Sequence, residues 1–220
     1  FNNLLTIILA NAELALEQLP TGHPCREDVL QVHAAGLRSS TLVKLLLGFA
    51  RKQQVAPQVV YLETVSEALG QTLAALVGHE ISLQYRAIDR PWPVRIDPDQ
   101  LTQILSQLCL NSREAMNGKG SITIESSNRS YDQASCDGHI DCLPGDYLQL
   151  RIQDDGCGIS AENLARVFEP FFTTNTEASG TGLGLASVYG SVLQNRGFVT
   201  VSSAPGQGST FEVNLPRHLG

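Results

Sequence analysis

The chain has 220 residues, of which 42% are hydrophobic and 17% charged, and this composition excludes disordered, fibrous and collagen-like classes. With 15 Lys and Arg against 22 Asp and Glu, the formal net charge is -7, which argues against nucleic acid or an anionic membrane as a partner. The absence of a run of about 18 apolar residues and of a basic-then-apolar leader predicts a soluble, cytoplasmic chain without membrane contact. Because it opens on Phe1 rather than Met, we expect a fragment of a longer protein, whose own membrane attachment stays open.

The first 53 residues carry two helical patterns. Apolar residues at three-four spacing predict one helix over residues 1–19 and a second that ends near residue 53, with a break at residues 20–24. Each helix also has a second apolar flank, made of Leu4, Leu9, Leu16, Leu30, Leu37 and Leu47. Two helices alone cannot cover these flanks, so we expect an antiparallel hairpin that forms a four-helix bundle with a second copy, a homodimer through residues 1–53. A hairpin docked onto the rest of the same chain is the alternative.

Beyond residues 54–58 short strand and helix patterns alternate, which predicts a second domain of the α/β kind over residues 57–220 after a first domain over 1–56. The predicted helices are Thr64–Val77, Pro98–Met116, Ala161–Val167 and Gly184–Arg196. The predicted strands are Ile81–Tyr85, Ser121–Ser126, Tyr147–Gln153, Phe198–Ser202 and Thr210–Leu215. The stretch 127–145 fits neither period, so it is predicted to be an irregular loop.

The five cysteines are an odd number at irregular spacings, which argues against a disulfide framework and for a reducing compartment. They are Cys25, Cys109, Cys136, Cys142 and Cys157. Cys136, His139 and Cys142 could begin a zinc site, although their spacing is not a standard one and a fourth ligand is not evident.

A polar pair lies on the predicted helix 98–116. Gln107 and Asn111 are four residues apart and therefore face the same way, opposite the apolar side of the helix. An amide oxygen can ligate a hard cation such as Mg2+ that keeps its waters and phosphate ligands. Taken alone, such an Asn is more often a surface or capping amide.

The turn Asp154–Ile159 directly follows a predicted apolar strand. Its glycines at 156 and 158 let the backbone turn sharply and approach a ligand closely. The Asp154 carboxylate only accepts hydrogen bonds, so it would select the amino group of adenine over a carbonyl. In isolation, a glycine-rich turn with a capping Asp is the favoured interpretation.

The segment Gly180–Leu185 opens an apolar helix after a polar stretch. Backbone N–H groups at a glycine-rich helix start form an anion site, because the unpaired donors and the helix dipole both point at a phosphate. The segment is not a Walker loop, since no Lys followed by Ser or Thr comes after it, and it lacks the preceding strand of a dinucleotide fingerprint. Taken alone, this glycine-rich segment is weak evidence for a phosphate site.

In this order, the three motifs resemble the catalytic ATP-binding domain of sensor histidine kinases, within the GHKL superfamily that also holds gyrase, MutL and a heat-shock chaperone. The resemblance spans residues 57–217 and includes Phe168–Thr174 and Gly206–Phe211. Upstream, Phe1–Leu5 resembles the end of the phospho-acceptor motif on dimerisation and phosphotransfer helices. The resemblance implies an α+β chain, with a helical hairpin followed by a GHKL-type α/β sandwich.

Residue by residue, the resemblance implies ATP and Mg2+ as cofactors. Asn111 would ligate Mg2+ and act in catalysis, and Asp154 would bind the adenine amino group. The other residues implied at the nucleotide are Arg113, Gly156, Gly158, Ile159, Phe171, Gly180, Gly182, Leu183, Gly184 and Thr210. Asn3 would orient phosphotransfer or be only a helix cap. The aromatic residues Phe168, Phe171 and Phe172 would anchor a mobile lid, which is compatible with a role as core aromatics.

Three departures from the family pattern modify these expectations. The acceptor histidine would precede Phe1, so the chain as given is not expected to phosphorylate itself there. Gln107 stands where ATP-hydrolysing relatives carry a catalytic Glu, which favours transfer to a positioned nucleophile over hydrolysis. No Lys or Arg lies in residues 167–195, so we expect weak ATP affinity, with Arg113 and Arg166 as the nearest candidates for phosphate charge.

The leading hypothesis is an ATP-dependent protein-histidine kinase core of a two-component sensor, whose phosphoryl group passes from the histidine to a response-regulator aspartate. A non-catalytic nucleotide-sensing or scaffold module with the same fold is the alternative, and the missing lid cations favour it slightly. A gyrase- or MutL-like ATPase is disfavoured by Gln107 and by the helical hairpin.

Overall fold

A computed structural model describes residues 2–20, 22–50, 56–137, 141–174 and 181–219, without the side chains of residues 2, 3, 38 and 40–50. The chain divides into two units, Phe1–Gln54 and Val55–Gly220. Within the described residues, no helix combines the length and the apolar character that crossing a membrane requires.

The first unit is a pair of helices, α1 (Asn2–Gln18) and α2 (Arg26–Ala50), which pack against each other as predicted. The Arg26 guanidinium at the start of α2 donates to the carbonyls of Leu16 and Leu19, at 2.7 and 2.9 Å, and so satisfies acceptors that the end of α1 leaves open. Ala12 and Gly36 are buried along the seam. Many larger apolar side chains remain exposed, namely Leu4, Ile7, Ile8, Leu14, Leu30, Val32 and Leu37.

The second unit is an α/β unit with two sheets. Its strands are β1 (Gln58–Val60), β2 (Ile81–Arg86), β3 (Val94–Ile96), β4 (Gly120–Tyr131), β5 (Gly145–Asp154), β6 (Phe198–Ser203) and β7 (Ser209–Pro216). Its helices are α3 (Leu62–Val77), α4 (Pro98–Ala115), α5 (Gln133–Cys136), α6 (Ala161–Leu164) and α7 (Gly184–Gln194). The main sheet has the order β2-β4-β5-β7-β6, in which β2 and β4 are parallel and the other pairs antiparallel, while β1 and β3 form a separate antiparallel pair.

The two faces of the main sheet differ because side chains alternate along each strand. One face packs on the helices, and its central residues Ile124, Leu150 and Val213 are almost completely buried in the core. The other face carries a row of register partners that runs across all five strands: Arg86, Glu125, Arg151, Glu212 and Thr200. The helix-covered face therefore forms the core. Packing against this face determines on which side of each helix the polar residues lie.

Helix α4 begins as the sequence predicts. The Asp97 side chain accepts a hydrogen bond from the Asp99 N–H at 2.9 Å, and Pro98 occupies the first helical position, where no N–H is needed. The apolar side of α4 is buried at Leu101, Ile104, Leu105 and Leu108. This arrangement leaves the polar side of the C-terminal half of α4 for the site described below.

The prediction of an irregular loop over 127–145 is wrong in part. Strand β4 continues to Tyr131, because its antiparallel ladder with β5 runs on to the Tyr131–Gly145 pair. The rings of Tyr131, Tyr147 and Phe198 meet edge to face, with centroids 5.2 to 5.6 Å apart. Packing between distant strands thus extends the sheet where the local pattern shows no period. The short strands β1 and β3 and the helix α5 were also not predicted, and α6 is shorter than expected.

The cysteine pattern argues against a disulfide framework, but the described residues contain one disulfide. Cys136, the last residue of α5, is bonded to Cys142, and their Cα atoms are 5.2 Å apart. The bond contradicts the zinc hypothesis, since it occupies both sulfur atoms, and His139 lies outside the described residues. Within residues 2–20, 22–50, 56–137, 141–174 and 181–219, no group of three metal-ligating side chains occurs.

Candidate functional site

The three motifs singled out in the sequence meet in the structure of the second unit. The Ser112 hydroxyl on α4 donates to Asp154 Oδ2 at the end of β5, 3.1 Å away. A Cβ atom on Gly184, the first residue of α7, would collide with the amide of Gln107 on α4. Residues far apart in the sequence therefore line one place between α4, β5 and α7.

Asp154 is the buried carboxylate at this place, with only 4% of its surface exposed. Its Oδ1 accepts from the N–H groups of Gly156 and Ser209, at 2.9 and 3.1 Å, and its Oδ2 accepts from Ser112. Burial raises the pKa of Asp154, while these three hydrogen bonds lower it and the charge of Asp155 raises it. The carboxylate is thus an acceptor held in a fixed orientation.

The turn after Asp154 needs its second glycine. Gly158 has a φ of 71°, and a Cβ atom there would collide with the Ala204 carbonyl in the β6–β7 turn. The next residue, Ile159, donates its N–H to the Ser203 hydroxyl at 2.8 Å and packs against the core. Gly156 lies close to the backbone of Ala115. These contacts hold the turn between α4 and the β6–β7 hairpin.

Thr210 lies on β7 opposite Gln153, the residue before Asp154. Its neighbour Ser209 provides one of the two backbone N–H groups that reach Asp154 Oδ1. The structure therefore brings Thr210 to the same end of the sheet as Asp154, and its contact with a nucleotide stays a prediction.

Gln107 and Asn111 share a face of α4, as the four-residue spacing predicts. Gln107 Nε2 donates to Asn111 Oδ1 at 3.4 Å. Asn111 Nδ2 is buried and has no hydrogen-bond partner, an arrangement that costs free energy. The oxygen and nitrogen of an amide exchange places when the group turns over. If the Gln107 amide turns over with it, the Asn111 oxygen can occupy that unpartnered position and the hydrogen bond between the two side chains is kept with its direction reversed. This donor set fits a Mg2+ ion that binds one protein amide oxygen besides water and phosphate oxygens.

Two contacts hold the described ends of the segment proposed as a lid. Phe168 stacks on Tyr189 of α7 and meets Phe211 of β7, with centroids 5.4 and 6.4 Å away. At the other end, Gly182 has a φ of 63°, its carbonyl accepts from the Phe171 N–H at 2.8 Å, and a Cβ atom on it would collide with the Phe171 backbone. Glycine at 182 is therefore required for this close approach.

The remaining predicted site residues divide into two groups. Leu183 is buried directly before the start of α7, and its contact with a nucleotide stays a prediction. Gly180 and the side chain of Asn3 lie outside the described residues.

Both cations considered for phosphate charge already have partners in the protein. Arg113 donates to the Leu76 carbonyl at the end of α3, at 3.2 Å. Arg166 pairs with Glu169 at 3.0 Å and lies over the Phe172 ring, 4.6 Å from its centroid. Their assignment to phosphate charge remains a prediction.

Two residues that contact Asp154 were not predicted from the sequence. They are Ser112 and Ser209. For Ser112 a signal was present, because it continues the buried positions 101, 105 and 108 of α4 and is itself only 1% exposed. A polar residue at a core position of a helix needs a buried partner. The backbone contact from Ser209 had no comparable signal, since any non-proline residue has an N–H.

Four features together define a nucleotide-binding domain of the GHKL type. They are a sheet covered by helices on one face, a buried carboxylate at a strand end, an Asn on the neighbouring helix and a glycine-rich helix start. Residues 96–219 match the family described as "Histidine kinase-, DNA gyrase B-, and HSP90-like ATPase", and the chain belongs to this family.

Curated relatives carry the names of sensor kinases. The chain is 38% identical to the sensor kinase CckA of Brucella abortus over 217 residues, which are 99% of this chain and 23% of that protein. It is 32% identical to the sensor histidine kinase ZraS of Escherichia coli over 218 residues, 99% of this chain and 43% of that protein. The chain thus spans less than half the length of these relatives. The resemblance to sensor histidine kinases is confirmed.

Solved structures of histidine kinases share the fold. The crystal structure of full-length ShkA in complex with AMPPNP has a TM-score of 0.64 at 23% identity, over 100% of this chain and 44% of that one. The histidine kinase AdeS of Acinetobacter baumannii has a TM-score of 0.61 at 19% identity, over 98% of this chain and 96% of that one. At these identities the likeness supports the fold.

Proposed function

We propose that the chain is the kinase core of a two-component sensor. Residues 57–220 bind Mg-ATP and transfer its γ-phosphoryl group to a histidine in the motif position before Phe1, which the 220 residues do not include, and a response-regulator aspartate receives the group next. The observation that carries this proposal is the buried Asp154 carboxylate, held by three protein donors where the three motifs meet. The names of the relatives and the AMPPNP bound to ShkA support the same function.

Asp154 recognises the base. Its Oδ1 already accepts two backbone hydrogen bonds, and its Oδ2 has room for a donor from a ligand besides Ser112. The 6-amino group of adenine is such a donor, whereas a 6-oxo group would face the carboxylate with a second acceptor. Gly156, Gly158, Ile159 and Thr210 shape the walls around this contact.

Asn111 would hold Mg2+ through its amide oxygen, in the orientation that gives the unpartnered position an acceptor. When bound, the metal supplies charge neutralisation for the phosphates. Gln107 provides no carboxylate that could activate a water molecule, so transfer to a positioned side chain is favoured over hydrolysis.

The start of α7 provides the phosphate site. Gly182, Leu183 and Gly184 offer backbone N–H groups where the helix dipole is positive, and the family resemblance implies Gly180 as a further member of this site. The contacts of Phe168 and Phe171 hold both ends of the lid. Because Arg113 and Arg166 already have protein partners, the affinity for ATP should be weak.

The helical hairpin forms a homodimer through residues 1–53 and carries the phosphotransfer function. Its exposed apolar side chains on α1 and α2 support a second copy as the covering surface. Asn3 would orient the acceptor histidine one helical turn before it.

The binding step is tested by titrating the 220-residue chain with a non-hydrolysable ATP analogue in a calorimeter, with and without Mg2+, and with GTP for comparison. We expect magnesium-dependent binding that is selective for adenine. Asp154→Asn should weaken it about 100-fold, because the new amide N–H faces the adenine amino group. Asp155→Asn is the matched control, since this exposed neighbour only accepts from the Ser121 N–H, a bond its amide oxygen can keep. Equal affinity of Asp154→Asn and wild type would contradict the site.

A non-catalytic nucleotide-sensing module is the second candidate, and the lack of Lys and Arg in residues 167–195 favours it. A chain extended by His-Asp before Phe1 separates the two functions. With γ-labelled ATP and Mg2+, a kinase forms an acid-labile phosphoryl group on the added histidine, and Asn111→Ala prevents it. If the chain binds the nucleotide but no label is transferred to the protein, the result would instead support the sensing module.

A further inference from the structure

Ser112 is a polar side chain at a core position of α4. It is 1% exposed and follows the buried positions 101, 105 and 108 on the same side of the helix. A buried hydroxyl is costly unless it is hydrogen-bonded, and Ser112 Oγ donates to Asp154 Oδ2 at 3.1 Å. The hydroxyl therefore lies where an alanine would pack as well but could not donate.

The hydrogen bonds to Asp154 use three of its acceptor directions. An ionised carboxylate offers about four, two on each oxygen. The N–H groups of Gly156 and Ser209 use both directions of Oδ1, and Ser112 uses one direction of Oδ2. Only Oδ2 can accept from a ligand, and Ser112 decides along which direction it does so.

We propose that Ser112 is a positioning residue for base recognition, which holds Asp154 Oδ2 from the α4 side and leaves one acceptor direction that fits a purine 6-amino group and not a 6-oxo group. The inference rests on the proposed function and deepens it, because it assigns the base selectivity of the same site to a contact between α4 and β5.

The loss of this contact has two consequences for selectivity. Without the hydroxyl, Oδ2 loses the donor that fixes its direction toward the ligand. Burial raises the pKa of Asp154 and the Ser112 hydrogen bond lowers it, so removing the hydroxyl also favours the protonated carboxyl. A protonated carboxyl can donate to a 6-oxo purine. Both effects reduce the preference for adenine.

The test compares ADP with inosine diphosphate, in which an oxygen replaces the 6-amino group and N1 carries a proton. Wild-type chain and Ser112→Ala are titrated with each nucleotide at the same Mg2+ concentration. We expect Ser112→Ala to bind ADP about tenfold more weakly and inosine diphosphate within about twofold of wild type. The preference for ADP then falls about tenfold. A purely structural role of Ser112 would weaken both nucleotides equally, and that result would overturn the inference.

Two further variants test whether the Ser112 hydroxyl itself causes the preference for ADP. Ser112→Thr retains it and should keep the preference of the wild type for ADP. Ser126→Ala removes another buried serine hydroxyl, one that accepts from the Ile88 N–H at 3.1 Å, and should leave the preference unchanged. Thermal unfolding without nucleotide shows whether each variant is folded.

The outcomes separate the two proposals. An unchanged preference in Ser112→Ala, together with loss of ADP binding in Asp154→Asn, overturns the role of Ser112 and retains the proposed function. Failure of wild type to bind ADP at millimolar concentration overturns both.

Discussion

The helical hairpin and the α/β unit bury their apolar side chains to very different extents. Among the described side chains of the hairpin, Ala12 is the one buried hydrophobic residue, whereas the α/β unit has a continuous core from α3 to β7. Seven large apolar side chains of the hairpin are exposed by 42 to 63%. The α/β unit thus completes its own core, while the hairpin presents an apolar surface that a further layer can cover.

The difference follows from how the two architectures cover apolar surface. A sheet with helices on one face buries the apolar side of every strand and the facing side of every helix. Two helices cover only one stripe of each other, so a second apolar flank stays uncovered until another pair packs against it. The comparison predicts that substitutions in the hairpin change assembly, and that substitutions in the α/β unit change stability or nucleotide binding.

The largest expected effect concerns the hairpin surface. Ile7→Ser combined with Leu14→Ser removes two exposed apolar side chains that lie seven residues apart on one side of α1. Four such side chains are lost per dimer. Full burial of one contributes about 1.5–3 kcal/mol, and each is about half exposed in the single chain, so the loss is about 3–6 kcal/mol. The dimer should therefore dissociate about 100- to 10,000-fold more readily. Sedimentation equilibrium over a range of concentrations measures this change.

Nucleotide affinity should not change in this double variant, because the site lies in the other unit. Glu17→Ser on the same helix, at an exposed polar position, is the control and should leave the mass unchanged. A double variant with the same mass as wild type at every concentration would contradict the proposed dimer surface.

A core substitution in the α/β unit should lower stability without changing assembly. Leu150 is completely buried in the central strand β5, so Leu150→Ala should cost about 3 kcal/mol of the free energy of unfolding of this unit. Urea unfolding measures the loss. Gln84→Ala, at an exposed position of the edge strand β2, should stay within about 0.5 kcal/mol of wild type. If Leu150→Ala also dissociated the dimer, the two units would not be independent.

Removal of the disulfide should have a smaller effect, confined to the stability of the α/β unit. The Cys136–Cys142 bond closes a short loop beside the Tyr131, Tyr147 and Phe198 cluster. Replacing both cysteines by Ser should destabilise the α/β unit by about 2 kcal/mol, and a reductant should then have no further effect. Thermal unfolding with and without reductant provides the measurement.

Cys25→Ser serves as the control, because Cys25 is a free and exposed thiol of the hairpin. A wild-type unfolding temperature that is the same with and without reductant would show that the bond does not contribute to stability. Nucleotide affinity should stay within about twofold in either variant, since none of the hydrogen bonds to Asp154 and Asn111 described above comes from a cysteine.

Much of the fold could be predicted because its signals are local. The cap at Asp97, the Pro98 start and the apolar spacing of α4 are all contained in about one helix length of sequence. Part of the candidate site was equally accessible, since the spacing of Gln107 and Asn111 sets their common face and Asp154 ends an apolar strand. The extension of β4 to Tyr131 was not accessible, because it depends on pairing with β5 and on aromatic contacts from β6.

The sequence by itself determined the helices and strands with a clear period and the residues that carry the family motifs. Each of these depends on spacing along the chain or on the chemistry of single residues. Only the tertiary structure decided that Cys136 bonds Cys142, that Ser112 and Ser209 donate to Asp154, and that Asn111 Nδ2 has no partner. These features arise where segments distant in sequence meet, and a hydrogen bond or disulfide forms only when packing brings its two atoms within reach.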